Sequence, residues 1–254
     1  MSWKLAAISL ALVLRNPGAA LRATLVPALA ALLLGAAGWA VLGVTPGMAT
    51  FALAFGGWTG KVALALAFAA VLVILAAAWV ATGWHRFVLL AEMPGWLPRA
   101  TPRLAGDYAL RSTLISLVLL VLLFPVSAIG MQMLAMLGLS GLVLARLALA
   151  FALTALLAFL WLRLTLVLPA LALGRAMTLA DSWAATGARS GDILGAAAIL
   201  AGLDLVLSAL LDLAPPGLWP VLVLRLGLMW VMALAGTGLL SLLYRDITGG
   251  RRPR

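Results

Sequence analysis

Cysteine is absent from this 254-residue chain, and charge is scarce. Without cysteine there is no disulfide, no thiolate metal ligand, no iron–sulfur cluster and no thiol nucleophile. Only 9% of the residues are charged while 66% are hydrophobic, whereas a soluble domain carries about a quarter charged residues. Histidine occurs once, at His85, and the nearest acid in sequence is Glu92. A single imidazole does not make a metal site without help from carboxylates. No Ser-His-Asp set, glycine-rich phosphate loop or pair of carboxylates stands at a useful spacing. The chain therefore reads as a non-enzyme with no cofactor and no metal. Lysine is nearly missing too, with only Lys4 and Lys61 among 17 cations. Together with abundant Ala, Leu and Gly, this usage points to a bacterial genome of high GC content.

What remains is mostly long apolar runs. About 20 apolar residues cross a bilayer core about 30 Å thick, and the chain offers six such spans, at about 21–44, 61–80, 113–133, 142–162, 193–213 and 218–243. The net charge of +10 would suggest nucleic acid in a soluble protein, but here the cations flank the apolar blocks. All of them except Lys61, Arg146 and Arg225 fall before span 1 or at its opening, between spans 2 and 3, between spans 4 and 5, or after span 6. The positive-inside rule then sets both termini in the cytoplasm of a bacterial inner membrane, with the cations meeting anionic head groups. The predicted fold is all-α and integral to the membrane: six spans as three hairpins in one domain, with short interfacial helices on the cytoplasmic side. Residues 1–20 form an interfacial segment, with a short helix ended by Asn16-Pro17-Gly18. The apolar stretch after Arg163 continues as a surface or tilted helix bent at Pro169. Pro94, Pro98 and Pro102 break the polar segment between spans 2 and 3. Pro125 kinks span 3, Pro215-Pro216-Gly217 turns between spans 5 and 6, and 244–254 is a basic tail.

A weak repeat supports the hairpins. Leu21-Arg22-Ala23-Thr24-Leu25 opens span 1 and Leu110-Arg111-Ser112-Thr113-Leu114 opens span 3. Spans 2, 4 and 6 close on Trp84-x-Arg86, Trp161-x-Arg163 and Tyr244-Arg245. An aromatic beside a cation suits an interfacial anchor.

The island from Trp161 to Ala198 holds Arg163, Arg175, Asp181, Arg189 and Asp192, and within it Ser182-Trp183-Ala184-Ala185-Thr186-Gly187. This stretch resembles the Ser-Trp-x-x-Thr-x-Gly pattern after the fourth span in the membrane domain of glycerophosphoryl diester phosphodiesterases and in related six-span families of uncharacterised bacterial proteins. The approach around Pro169 and the Arg15-Asn16-Pro17-Gly18 opening fit that family as well. The resemblance implies a fold and no catalysis, because no phosphodiesterase domain is attached. The cytoplasmic loop of ABC-importer permeases is a poorer match, since Ala180–Gly187 lacks its Glu-Ala-Ala and the closing Leu-Pro.

Asp204 lies near the middle of span 5, where an unpaired carboxylate costs about 2.5–3.5 kcal/mol. Rise per residue puts Arg225 of span 6 within about one turn of its depth, so the two form a candidate intramembrane pair, structural or part of a polar path. Ser208 and Asp212 share the face of Asp204. Arg146 snorkels or reaches Asp212. Met131, Met133 and Met136 read as packing, and Gly35, Gly38 and Gly43 as a close-approach face. Two functions stay open: an accessory or scaffolding membrane protein engaging lipids or a membrane protein partner, with no nucleic acid, and a transporter or permease subunit using Asp204 and Arg225.

Overall fold

The computed structural model of the chain describes residues 2–56, 58–97, 101–213 and 219–249. In chain order the helices are α1 (Ser2–Arg15), α2 (Pro17–Leu42), α3 (Pro46–Phe55), α4 (Gly60–Leu90), α5 (Pro102–Met136), α6 (Val143–Leu164), α7 (Val167–Ala172), α8 (Leu179–Ala185), α9 (Ser190–Asp212) and α10 (Trp219–Ile247). No strand occurs among the described residues. Six of these helices, α2, α4, α5, α6, α9 and α10, are long and apolar enough to cross a membrane. The chain is an all-α, multi-pass membrane protein. The expected turn at 215–217 and the tail beyond Gly249 lie outside the described residues, as do Pro98 and Arg99.

Helix ends follow local chemistry. Thr45, Thr59, Thr101 and Thr178 each stand just before a helix and accept a backbone N–H from its first turn, satisfying a donor that the helix cannot. Proline opens α2, α3 and α5, where its missing N–H costs least. Gly43 and Gly56 end α2 and α3 in the left-handed region, at φ 64° and 75°.

The first two span pairs pack as sequential neighbours, α2 on α4 and α5 on α6. In the third pair α9 and α10 touch, but α9 packs chiefly on α6 while α10 packs on α4 and α1. Small residues set the first contact. An added Cβ at Gly38 would come within 2.5 Å of the Phe68 ring, and Trp39 Nε1 donates to the Ala65 carbonyl across the same interface.

Three segments differ from the reading of the sequence. The N-terminal helix does end at Asn16, but it does not simply lie on a surface. Its small face, Ala6, Ser9 and Val13, is buried against α9 and α10, because side chains three and four residues apart share one face of a helix. The stretch after Arg163 is not a surface helix either: α7 is buried among α4, α5 and α10, with Leu166, Leu168 and Ala172 at most 1% exposed. The uncharged link after span 1 contains α3, a helix at the end of the bundle that carries few charges. The densest packing is therefore at the basic end, where α1 and α7 fill the spaces between spans. Toward the other end large apolar side chains such as Met136, Leu144 and Leu224 face outward, as lipid-facing spans do.

Gly238 of α10 lies close to both α4 and α1: a Cβ there would lie 3.4 Å from Trp84 Nε1 and 3.9 Å from the Ser9 carbonyl. Gly238→Val is expected to destabilise the fold by about 1–3 kcal/mol through overpacking, read as unfolding at a lower SDS fraction in mixed micelles. Gly236→Ala, with no atom within 4 Å of its added Cβ, should leave the midpoint unchanged.

Candidate functional site

α5 and α10 each pack on α4 but not closely on each other. The gap between them is a groove of about 620 Å³, floored by Ile74 and Ala77 of α4, closed beneath by Leu168 of α7, and walled by Tyr108 and Ser112 of α5 and Thr237 of α10. Its surface is mostly apolar with a row of hydroxyls. Ser112, Ser116 and Thr237 donate their protons within their own helices, to the carbonyls of Ala109, Ser112 and Ala233. In this arrangement they present lone pairs rather than protons to the groove.

Behind the groove wall stands a buried polar chain. His85 of α4 is held at Nδ1 by Ser241 Oγ, 2.7 Å away, and at Nε2 by Tyr108 OH, 2.9 Å away. Ser241 has one hydroxyl proton and donates it to the Thr237 carbonyl, so it accepts from His85 Nδ1–H. Tyr108 must then donate to Nε2. The tautomer follows from the partners, and the neutral imidazole is fully satisfied. Both ring nitrogens are taken by hydroxyls, and no group of three or more His, Cys, Asp or Glu that could hold a metal ion occurs among the described residues.

Two arginines brace the same end. Arg86 forks onto Glu92, Nε to Oε2 at 2.9 Å and Nη2 to Oε1 at 3.0 Å, while Nη1 donates to the Ala172 carbonyl that closes α7. Ala91 makes the fork possible by turning the chain at φ 56° directly after α4. Arg163, only 9% exposed, lies 3.6 Å over the Trp183 ring and donates through Nε to Thr186 Oγ1 and through Nη2 to the Trp183 carbonyl. Ser182 Oγ donates to the Arg163 carbonyl and accepts from Leu166 N–H. The Ser-Trp-x-x-Thr spacing thus sets one hydroxyl on the Arg163 guanidinium and another, four residues earlier, on the Arg163 backbone carbonyl, and ties α8 to the end of α6. Gly187 opens the 3₁₀ turn that leads into α9 and touches none of this.

The interfacial anchors divide. Arg245 is exposed, Trp161 is half-buried and lines the groove, and Arg86 and Arg163 are clamps. Trp84 and Tyr244 are corrections: both are buried, at 0% and 4%, because α1 and α7 cover the positions where a lipid-facing belt was expected. Trp84 Nε1 has no hydrogen-bond acceptor among the described residues.

The intramembrane pair is also corrected. Arg225 donates through Nη2 to Asp212, not to Asp204. Asp212 is at the end of α9, and counting rise per residue fixed depth but not which way round each helix its side chains fall. Asp204, half-buried in α9 and about 12 Å along the helix from Asp212, makes no hydrogen bond or ion pair among the described residues. Arg146 is exposed.

Tyr108 and Ser241 went unnoticed in the sequence, being 23 and 156 residues from His85. The one available signal was a tyrosine and a serine each placed near the basic end of a span, as His85 is.

Removing one hydroxyl leaves His85 with an unmet group in a dry site. Tyr108→Phe and Ser241→Ala are each expected to cost about 1–3 kcal/mol in mixed-micelle unfolding. Their effects should be non-additive in a double-mutant cycle, because both act through one imidazole; strict additivity would mean that the chain is not a unit. Against known proteins, the chain matches no family model, no curated protein and no solved structure.

Proposed function

We propose that the protein is a non-enzymatic multi-pass protein of the bacterial inner membrane, with both termini cytoplasmic, whose accessory or scaffolding role runs through membrane lipid. The observation that carries this reading is the groove between α5 and α10. Its volume of about 620 Å³ falls within the roughly 300–1,000 Å³ of sites that hold small molecules. Its floor is apolar, and it lies between two helices long and apolar enough to cross a membrane. Lipid is the molecule that enters such a gap without leaving the bilayer. The orientation rests on the cation bias, which places nearly all basic residues at the end where both termini lie. The kinship suggested by Ser182, Trp183 and Thr186 agrees with a membrane domain that has no chemistry of its own.

Filling the groove tests the reading. Gly236 lines it, and no atom lies within 4 Å of a Cβ added there, so Gly236→Leu fills space without a clash at the backbone. Phospholipid retained after detergent purification, counted by native mass spectrometry, is expected to fall about fivefold or more, the equivalent of about 1 kcal/mol of buried methylene contact. Equal retention with an unchanged unfolding midpoint would sink the proposal.

Asp204 favours a second reading. Among the described residues it has no partner, and an unpaired carboxylate at membrane depth is expensive and marks many ion paths. If the chain is a transporter or permease subunit, Asp204 is its gate residue, while Arg225 belongs to a separate pair with Asp212. Proteoliposomes loaded with a pH-sensitive dye would then show protein-dependent proton flux, abolished by Asp204→Asn. Lipid retention would be unchanged in that variant, and absence of flux in the wild type removes the second reading.

A further inference from the structure

A second cavity, of about 470 Å³, lies between the early turns of α5 and the segment that leads into α8. Its lining is of two kinds. Leu114, Ile115, Val167 and Leu179 make an apolar wall, and Arg111 and Asp181 bring two opposite charges. The charges do not neutralise each other. Arg111 makes no hydrogen bond or ion pair among the described residues. Asp181 uses Oδ2 alone, accepting from the Thr178 N–H at 2.9 Å and the Thr178 hydroxyl at 2.7 Å, in a capping box that fixes the start of α8. Those two donors, the hydroxyl first, hold the carboxyl below its ordinary range, so it is ionised at neutral pH. Oδ1 takes no hydrogen bond among the described residues.

The cavity sits at a border. The apolar run of α5 starts at Leu114 and is broken only by Ser116 before Ser127; it begins about one turn beyond Arg111, so the cation and the carboxylate lie where a bilayer presents head groups and the wall lies where it presents tails. An occupant must therefore offer an anion to Arg111, a hydrogen-bonding cation to Asp181, and an apolar chain to the wall. We infer that this cavity binds a zwitterionic phospholipid with a primary-amine head group, its phosphate on Arg111 and its ammonium on Asp181. A choline head group has the same net charge but no N–H to give the carboxylate. An anionic head group satisfies Arg111 and leaves Asp181 facing no cation. The inference rests on the lipid-engaging reading above but concerns a different place on the molecule, so the two fail separately.

The test uses the full chain in mild detergent, with native mass spectrometry against phosphatidylethanolamine, phosphatidylcholine and phosphatidylglycerol of identical acyl chains. The ethanolamine lipid is expected to bind about fivefold tighter than the choline lipid, as one interfacial charge contact allows. Asp181→Asn should bring the ethanolamine lipid down to the choline value, and Arg111→Gln should weaken all three. Thr178→Ala breaks the cap but keeps the carboxylate, and should retain the preference; this separates head-group recognition from a loosened α8. Glycerophosphoethanolamine, which lacks tails, should compete at least about tenfold more weakly, because it buries no apolar surface on the wall. Competition as strong as the lipid's would assign the cavity to a soluble phosphoamine and overturn the lipid assignment. Equal binding of ethanolamine and choline lipids to the wild type, a comparison that needs no variant to fold, would also overturn it, as would a preference that survives Asp181→Asn. Retained lipid with no head-group preference sinks this inference alone; no retained lipid of any kind sinks the groove reading as well.

Discussion

In hydrocarbon no water replaces a lost hydrogen bond, so a polar side chain between spans must be satisfied by its neighbours or it drives the helices apart. His85 meets that demand with hydroxyls from two other spans, and α4, α5 and α10 are held in register as a result. The rest of the basic end depends on that register. Only with α10 drawn against α4 does Gly238 face Trp84 and Ser9 closely enough for α1 to seat. With α1 seated, Trp84 is sealed from the lipid.

The same constraint explains α7. A break in a helix leaves carbonyls and N–H groups unpaired, which lipid does not tolerate. The break after α6 is made acceptable by side chains from both sides: Ser182 serves the Arg163 carbonyl and the Leu166 N–H, and Arg86 serves the Ala172 carbonyl. Buried between these clamps, the apolar face of α7 closes the lower end of the groove. The groove and the clamps are thus consequences of one piece of packing: a short segment fills the space under α4, α5 and α10 and leaves the space between α5 and α10 higher up unfilled.

Membrane class and span positions were legible because they depend on quantities that a sequence states directly. Run length against bilayer thickness sets the spans, and cation bias distinguishes the ends. Boundaries were less legible where helices run past the apolar stretch, as α4 does from Val80 to Leu90 and α5 does ahead of Thr113; caps such as Thr101 end a helix, not the loss of hydropathy. Burial was illegible for a physical reason. In water, apolar means buried, but in a membrane apolar surface serves equally well against lipid and against protein. Leu168, at 1% exposed, and Leu144, at 81%, read alike in sequence. Trp84 was misplaced on the same ground, and Arg225 because a one-dimensional count gives depth without azimuth. The Ser-Trp-x-x-Thr stretch stands out in the sequence as a motif, but what it does in the fold, holding Arg163, involves a residue about 20 positions away and is not legible from the motif alone.

The disposition of charge shows which cations remain open to the surroundings. Glu92 is committed to Arg86, Asp246 to Arg189 and Asp212 to Arg225. Arg163 spends its donors on neutral oxygens and its face on Trp183. Each of the three ion pairs fixes a piece of structure and leaves little field outside it, since a neutralised pair attracts weakly at a distance; Arg163 is held in place but keeps its charge. Arg111 is different: it stands at the head-group border beside an apolar wall, facing a carboxylate that the α8 cap has already oriented. Three of the seven acids are thus held in ion pairs among the described residues, and the +10 net charge of the chain is left largely uncompensated within it. At Arg111, unlike on a bare charged surface, a cation and an oriented carboxylate stand together beside a shaped apolar wall, so that charge and shape act on one occupant at once.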